Sequence, residues 1–511
     1  MNVLRPRLIK SPRFLLMYSA LQFAPEEMAK PDGSLSLCYL AGALREAGYD
    51  VDILDVSVGN KRDNLKDTFF NTTRLPSGLI RCGMSRERII EEIADYDVIG
   101  ISSIFTTQTT MVLDLVKLVK EVSPEKLVIS GGVNARNLRN RFFKAGVDLI
   151  CLSEAEVTIV QIAEALRGQR ELRELRGIAY QDDDGREVVN PQGPIIMNLD
   201  ELPFPAWDLL PNDKYWELSR PHGGQFPAGQ RIQYAALQTT RGCPFQCLYC
   251  HISKEEEGSP FGETGTFRMK SIGRVIEEMD RLKDLGAHHL FFEDDSLFAK
   301  KKRAYTLFES VRHMGFELAD VNGINICHLM KNDRKGKLTV DTEFLENLSA
   351  AGFRWLHLPF ESGSKRMIEK YSTSKWNIEK TDTASMIRGC TDAGIHTAGN
   401  YIIGYPDETL DEIYTTVLSA KRHVEEGLNH AAIFAMVPFP GTKIYDMCIE
   451  AGMLDPDFDT DLMKWTKSTL KNTPVQPEAL EYMRQLAWLT VNPREFVEYK
   501  IGMRVNRPVE G

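Results

Sequence analysis

Tyr234-Ala235-Ala236-Leu237-Gln238-Thr239-Thr240-Arg241-Gly242-Cys243-Pro244-Phe245-Gln246-Cys247-Leu248-Tyr249-Cys250 runs from a short apolar stretch straight into three cysteines. The first half predicts a strand over Tyr234–Thr239, and Gly242 marks the turn that leaves it. Core packing does not account for three thiols within eight residues. Soft sulfur ligands at such short spacing suit zinc, copper or an iron–sulfur cluster. His251 could offer zinc a fourth ligand, but a Cys-His adjacency with no second pair nearby makes a poor tetrahedral site. A four-iron cluster held by only three cysteines keeps one iron open, the mark of a catalytic rather than a structural metal.

Downstream, apolar runs and helical stripes alternate. Strands are expected at His289–Glu293, Val321–Ile326, Trp355–Phe360, His396–Ile403 and Ala432–Val437. Helices are expected at Ile272–Leu285, Ala304–Met314, Thr342–Ala351, Thr381–Ala393 and Leu410–Val424. In the first of these, Ile272, Val275, Ile276, Met279, Leu282 and Leu285 line one face at helical spacing. Six βα units are too few to close a full barrel and predict a partial (β/α)6 TIM barrel. The cysteines then lie at the end where strands hand over to loops, which is the catalytic end of such barrels.

Upstream, Phe14–Ala20, Val51–Asp55, Val98–Ile104, Leu127–Ser130 and Leu149–Ser153 read as strands. Helical patterns at Ser34–Ala47, Glu87–Ala94 and Met111–Val122 separate them. This rhythm predicts a doubly wound, Rossmann-like parallel sheet, whose ligands sit beyond the carboxyl ends of the strands. Gly177–Val189 reads as a hairpin around Asp182-Asp183-Asp184-Gly185. Pro191, Pro194, Pro203, Pro205, Pro211, Pro221 and Pro227 then suggest an extended connector over the surface. The fold class is α/β: a sheet domain over residues 1–176, hairpin and connector over 177–231, partial barrel over 232–450, and a small, mostly helical C-terminal region over 451–511.

Composition narrows the function class. The 511 residues are 43% hydrophobic and 26% charged, as in a globular protein. Net charge is 62 − 72 = −10; with no basic footprint, no nucleic-acid partner is expected. Nine cysteines are too sparse for a disulfide scaffold. Cys38, Cys82, Cys151, Cys327, Cys390 and Cys448 read as small core residues. Arg5, Arg7, Lys10 and Arg13 precede the apolar run Phe14-Leu15-Leu16-Met17, but that run is too short for a signal peptide. No apolar stretch reaches membrane-spanning length, and a cytoplasmic protein is expected.

The C-x3-C-x2-C spacing, with Tyr249 before the last cysteine, resembles the radical S-adenosylmethionine superfamily. The resemblance implies that Cys243, Cys247 and Cys250 hold a 4Fe–4S cluster whose open iron takes the amino and carboxylate groups of S-adenosylmethionine. Phe291-Phe292-Glu293-Asp294-Asp295 ends the second strand, where the family binds the methionine amino group; Asp294 and Asp295 are the candidates. Phe360-Glu361-Ser362-Gly363 resembles the ribose-binding segment, with Glu361 and Ser362 as hydroxyl partners. Asn400-Tyr401-Ile402-Ile403-Gly404-Tyr405-Pro406 resembles the segment against adenine, with Asn400 and Ile402 as contacts. Val437-Pro438-Phe439-Pro440-Gly441-Thr442 ends the sixth strand in the family style. Arg268 is read either as a carboxylate contact or as an exposed loop arginine.

The first domain resembles the cobalamin-binding domain of the large subgroup of cobalamin-dependent radical enzymes. The matching pieces are Pro31-Asp32-Gly33-Ser34-Leu35, Tyr39-Leu40-Ala41, Ile101-Ser102-Ser103, Ser130-Gly131-Gly132 and Ser153-Glu154-Ala155-Glu156. Candidate cobalamin contacts are Ser102, Ser103, Gly131, Gly132 and Glu154, because small residues at strand ends admit a bulky flat ligand. The family usually has Gly-Glu-x-Glu where Ser153 begins this motif. No Asp-x-His-x-x-Gly is present to ligate cobalt from below.

The resemblance implies C-methylation of an unactivated carbon in a small-molecule or natural-product substrate, through a 5′-deoxyadenosyl radical. An electron donor such as flavodoxin or ferredoxin is the implied partner. A cyclase or rearrangement enzyme, for example on a tetrapyrrole, is the alternative within the subgroup. A methylthiotransferase would carry further cluster cysteines in the first domain, and a non-catalytic corrinoid or redox carrier would not need the Glu361 and Asn400 segments.

Overall fold

Phe14–Tyr18 forms strand β1, and its first four residues are buried without polar alternation. A strand covered on both faces requires such a run. In this computed structural model, which describes residues 7–31, 33, 35–221, 231–373 and 375–505, β1 pairs in parallel with β2 (Val51–Asp55) and β3 (Val98–Ser102). Strands β4 (Leu127–Gly131) and β5 (Leu149–Cys151) continue in parallel, giving the order β2-β1-β3-β4-β5. The order reverses between β1 and β3, the point where sheets of this kind open a crevice. Helices α1 (Leu35–Glu46), α2 (Arg86–Ile93), α3 (Thr109–Val122), α4 (Arg139–Ala145) and α5 (Glu156–Leu166) alternate with the strands. Of the quoted motif residues Asp32 and Ser34, and of the connector Pro227, lie outside the described residues.

The segment after residue 176 departs from expectation. Strand β6 (Ile178–Gln181) pairs antiparallel with β5, and β7 (Glu187–Val189) pairs antiparallel with β6, so the hairpin extends the sheet to seven strands. Burial of Ile178, Ala179 and Tyr180 explains why it does not stand apart. The connector is not a surface strap either. Leu199, Leu202, Trp207 and Tyr215 are buried, the last on helix α6 (Asn212–Leu218). Ala206 donates its N–H to Cys38 O at 2.9 Å, and a Cβ on Gly42 would lie 2.3 Å from Phe204 O. Prolines keep this segment out of a strand ladder, while the apolar residues between them drive it onto α1. One compact unit comprises Met1–His222 together with Lys254–Ser271.

The second unit comprises Gly223–Ser253 and Ile272–Gly511. Its sheet is six-stranded, parallel throughout and in chain order: β8 (Tyr234–Leu237), β9 (His289–Phe292), β10 (Glu317–Asp320), β11 (Phe353–Glu361), β12 (His396–Ile403) and β13 (His430–Ala435). Helices α7 (Ile272–Leu285), α8 (Lys301–Ser310), α9 (Thr342–Ala351), α10 (Lys365–Tyr371), α11 (Thr383–Asp392) and α12 (Leu410–Glu425) make the crossovers. Thr409 and Glu412 form a reciprocal capping box on α12, a device of about 1 kcal/mol.

The third strand lies earlier than Val321–Ile326. Leu318, Ala319 and Asp320 supply its buried residues, whereas Gly323 turns the chain at φ 92° and Asn325 caps a short 3-10 turn by accepting from Cys327 N at 3.1 Å. Cys327 is therefore exposed on a turn rather than packed in a core. Helix α13 (Lys443–Glu450) leads into the C-terminal region, where α14 (Pro477–Val491) packs on β13 and α15 (Arg494–Val505) follows. Asn492 accepts from Ala431 N at 2.7 Å and donates to Ala431 O at 2.9 Å. The edge of the sheet is thereby paired rather than left open. Among the described residues, no helix is long and apolar enough to cross a membrane.

Candidate active site

The cysteine loop leaves β8 under the control of two carboxylates at the end of β9. Asp294 is buried and accepts from Thr239 N at 3.1 Å, Thr239 Oγ1 at 2.8 Å and Thr240 Oγ1 at 2.7 Å. Burial pushes its carboxyl up, and these bonds work against that shift. Asp295 accepts from Gly242 N at 2.8 Å. Both carboxylates thus hold the backbone immediately before Cys243. Asp294, expected to meet an ammonium, here accepts from the loop, mainly through Oδ1.

Two further elements brace the loop. Beyond α10, Tyr371 O accepts from Leu248 N at 2.8 Å, and Ser372 O accepts from the Cys247 thiol at 3.6 Å. At the start of α13, Lys443 N donates to Ser253 Oγ at 3.2 Å and Ile444 N to Leu248 O at 3.0 Å. These are first-turn N–H groups that the helix itself cannot satisfy; the Val437–Thr442 segment delivers them to the cysteines. Tyr249 packs near Tyr405, its hydroxyl 3.1 Å from Ser372 Oγ.

Burial raises all three thiols, Cys243 to about 11, and each of Cys243 and Cys250 also feels its neighbouring cysteines. Among the described residues no set of three ligating side chains is already drawn together around one point. The donor chemistry nonetheless fits a cluster. A bound metal deprotonates its thiols outright and supplies the positive charge that three neighbouring thiolates, the buried Cys247 among them, lack.

The ends of β11 and β12 meet the expectations unevenly. Glu361 is buried with φ 64°, a left-handed conformation rare outside glycine, at a cost of about 1–3 kcal/mol. Its carboxylate is 2.5 Å from Lys375 Nζ. The Ser362 hydroxyl lies 2.9 Å from Thr416 Oγ1 and accepts from Ser364 N at 3.0 Å, which anchors the turn on α12. Along β12, Tyr401 and Ile403 are buried while Asn400 and Ile402, on the opposite face, are half-buried. Among the described residues nothing hydrogen-bonds the Asn400 amide, which leaves both its donor and its acceptor for a ligand.

In the first unit a small cavity opens at the β1/β3 switch point, lined by Tyr18, Ser19, Ser102, Ser103, Phe105 and Gln108. Ser103 N donates to Gly131 O at 2.8 Å, and its hydroxyl accepts from Asn134 Nδ2 at 2.9 Å. Gly132 has φ 100°, and a Cβ there would lie 2.4 Å from Ser103 O, so glycine is required where the two loops touch. Small residues and a crevice fit a flat macrocycle at this edge. Glu154 is engaged otherwise: Arg268 grips both its oxygens, at 2.9 and 2.6 Å, and also donates to Ile196 O and Thr264 O. Arg268 is therefore neither an exposed loop arginine nor open to a ligand carboxylate.

The B12 binding domain family matches residues 33–163, and the Radical SAM superfamily matches residues 237–420. The chain belongs to the cobalamin-binding radical S-adenosylmethionine enzymes. The cofactors of this family are a 4Fe–4S cluster, S-adenosylmethionine and cobalamin. Cytidylyl-2-hydroxyethylphosphonate methyltransferase of Streptomyces wedmorensis is 26% identical over 89% of the chain and 84% of its own length. Anaerobic magnesium-protoporphyrin IX monomethyl ester cyclase of Rubrivivax gelatinosus is 23% identical over 90% of the chain and 73% of its own length. The solved structure of the radical S-adenosylmethionine methyltransferase TsrM from Kitasatospora setae superposes with a TM-score of 0.61 at 16% identity, covering 86% of this chain and 77% of that one. That likeness establishes the fold.

For a radical S-adenosylmethionine enzyme, the sequence reading missed the residues that hold the cysteine loop. Thr239 and Thr240 carried a signal, two hydroxyls at the end of an apolar strand. Tyr371, Ser372 and Lys375 carried none, since only the tertiary fold returns the end of α10 to a loop more than a hundred residues earlier.

Proposed function

We propose that this radical S-adenosylmethionine enzyme is a cobalamin-dependent C-methyltransferase acting on an unactivated carbon of a small-molecule substrate. The observation that carries the reading is the alignment with a named methyltransferase through both domains, over 89% of the chain. When bound, the cluster and S-adenosylmethionine supply a carbon radical by one-electron cleavage, and cobalamin supplies a transferable methyl group.

The chain's own residues position these groups. Cys243, Cys247 and Cys250 would hold the cluster, with Asp294 and Asp295 fixing the loop that presents them. Asn400 and Ile402 would offer one polar and one apolar contact to the nucleoside, and Glu361 would meet a ribose hydroxyl. Ser102, Ser103, Gly131 and Gly132 would let the corrin approach the backbone at the β1/β3 crevice. The buried rings of Tyr371 and Tyr405, with the half-buried Tyr249, wall the cysteine loop and limit the access of water. We take the six-stranded sheet as a partial (β/α)6 barrel, the electron donor as a flavodoxin or ferredoxin, and the compartment as the cytoplasm.

The 23% identity with a cyclase across 90% of the chain favours one second reading, cyclisation or rearrangement without net methyl transfer. Anaerobically reconstituted enzyme with cobalamin, S-adenosylmethionine and a low-potential reductant separates the two. Methylation yields S-adenosylhomocysteine together with 5′-deoxyadenosine. Turnover giving 5′-deoxyadenosine alone overturns the methyltransferase reading.

A further inference from the structure

Lys375 is not part of any motif in the sequence, yet the fold buries it beside the cysteine loop. The turn that carries it is the one that touches the cysteines. Tyr371 O and Ser372 O accept from Leu248 N and the Cys247 thiol, Ser372 Oγ meets the Tyr249 hydroxyl, and Lys375 N donates back to Ser372 O at 3.2 Å. Its ammonium lies 2.5 Å from Glu361 Oε1, with only 11% and 7% of the two side chains exposed. Glu361 holds its strained backbone at the place where this ion pair forms.

We propose that Lys375 is the fixed positive charge that sets how readily the iron–sulfur cluster accepts its electron. The proposal rests on assignment of the cluster to Cys243, Cys247 and Cys250. In the step concerned, a flavodoxin- or ferredoxin-class donor loses one electron and the cluster core gains it, passing from a charge of +2 to +1. With three thiolates the assembly passes from −1 to −2, and no proton need move. A buried cation beside the thiolates stabilises the more negative state, because charge is poorly screened away from water. Burial alone would lower the Lys375 pKa, but the Glu361 carboxylate and then the Cys247 thiolate outweigh it and raise it. The carboxylate at 2.5 Å holds the Lys375 ammonium charged. Glu361 has two parts here: it orients the ammonium, and it partly offsets the ammonium's field.

The test is the cluster's reduction potential, measured by electron paramagnetic resonance during redox titration of the anaerobically reconstituted full chain without S-adenosylmethionine. Lys375→Met lowers the one-electron reduction constant at least tenfold, a shift of about 59 mV to more negative potential. Lys375→Arg restores it. Glu361→Gln moves the potential the opposite way, since it leaves the cation unopposed. A merely structural role for the pair would send both single variants in one direction. If Lys375→Met does not retain iron, Glu361→Gln decides: an upward shift supports the proposal, and no shift or a downward one overturns it. An unchanged potential in iron-loaded Lys375→Met also overturns it. Wild-type protein that takes up no iron would overturn the cluster site and the proposal with it.

Discussion

Arg268 closes a bidentate ion pair on Glu154, 2.9 and 2.6 Å from its two oxygens, and the arginine side chain is only 2% exposed. The pair joins the end of the first parallel sheet to a segment that follows the cysteines in sequence but folds with that sheet. Arg136 and Glu255 form a second buried pair in the same unit, and Lys270 Nζ donates to Tyr39 OH at 2.6 Å. Three buried polar contacts thus hold Lys254–Ser271 to the cobalamin-binding fold.

Breaking that pair from one side leaves a buried, unpaired charge. Arg268→Met is expected to destabilise the protein by about 3–5 kcal/mol, and Arg268→Met with Glu154→Gln by distinctly less. Urea denaturation of the single and double variants checks this. Equal losses in both would mean that packing of the arginine stem, not the charge pair, stabilises the segment.

Asp294 is expected to control iron uptake without touching iron. Asp294→Ala removes the acceptor from Thr239 and Thr240, with about 1.5–3 kcal/mol at stake in each charged hydrogen bond. Iron content after anaerobic reconstitution should fall well below wild type, whereas Asp294→Asn, which keeps one acceptor oxygen, should retain more. Full iron loading of the alanine variant would assign Asp294 to the ligand instead of the loop.

Cys243→Ala, Cys247→Ala and Cys250→Ala should each abolish the visible absorbance of the reconstituted cluster. Cys327→Ala should leave it intact, and Cys327 alone among the six other cysteines should react quickly with a thiol reagent, since it is the exposed one. Iron retained by any of the first three variants would refute the site.

Stability should fall on both sides of neutral, for opposite reasons. Burial holds His423 and His430 down to about 3, so the folded state binds fewer protons than the unfolded one. Their contribution is complete above the ordinary histidine pKa near 6.5 and is lost as pH falls toward 3. Burial pushes Glu408 up to about 8, against the N–H bonds it accepts from Gly404 and Tyr405. Its contribution is complete below about 4.5 and is lost as pH rises through 8. Thermal melts from pH 5 to 9 should show both slopes, and Glu408→Gln should flatten the alkaline one. An alkaline slope undiminished in that variant would exclude Glu408 as its source.

Much of the fold could be read along the chain, because sheets covered on both faces announce themselves as short apolar runs. Phe14–Met17 is such a run, and the strand expected at His396–Ile403 has the expected bounds. The reading failed where apolar residues are dispersed. Leu199, Leu202, Trp207 and Tyr215 are scattered among prolines with no helical or strand period, so along the chain they read as a surface connector. Val321–Ile326 is apolar enough for a strand, but Gly323 and Asn325 turn it.

Within the site, identity was local and placement was not. Three thiols at C-x3-C-x2-C spacing marked a soft-metal loop by themselves, because metal ligation at short loop spacing needs only neighbours in sequence. The nucleoside cofactor followed from the resemblance of that spacing and of the later strand ends to the radical S-adenosylmethionine superfamily. Only the tertiary structure decided that Asp294 spends its oxygens on Thr239 and Thr240, that Ser362 anchors on Thr416, and that Glu154 belongs to Arg268. It alone brought Lys375 to Glu361 beside Cys247. A side chain's partners depend on which groups folding leaves unsatisfied nearby, and burial makes an unsatisfied charge costly enough to choose partners far along the chain.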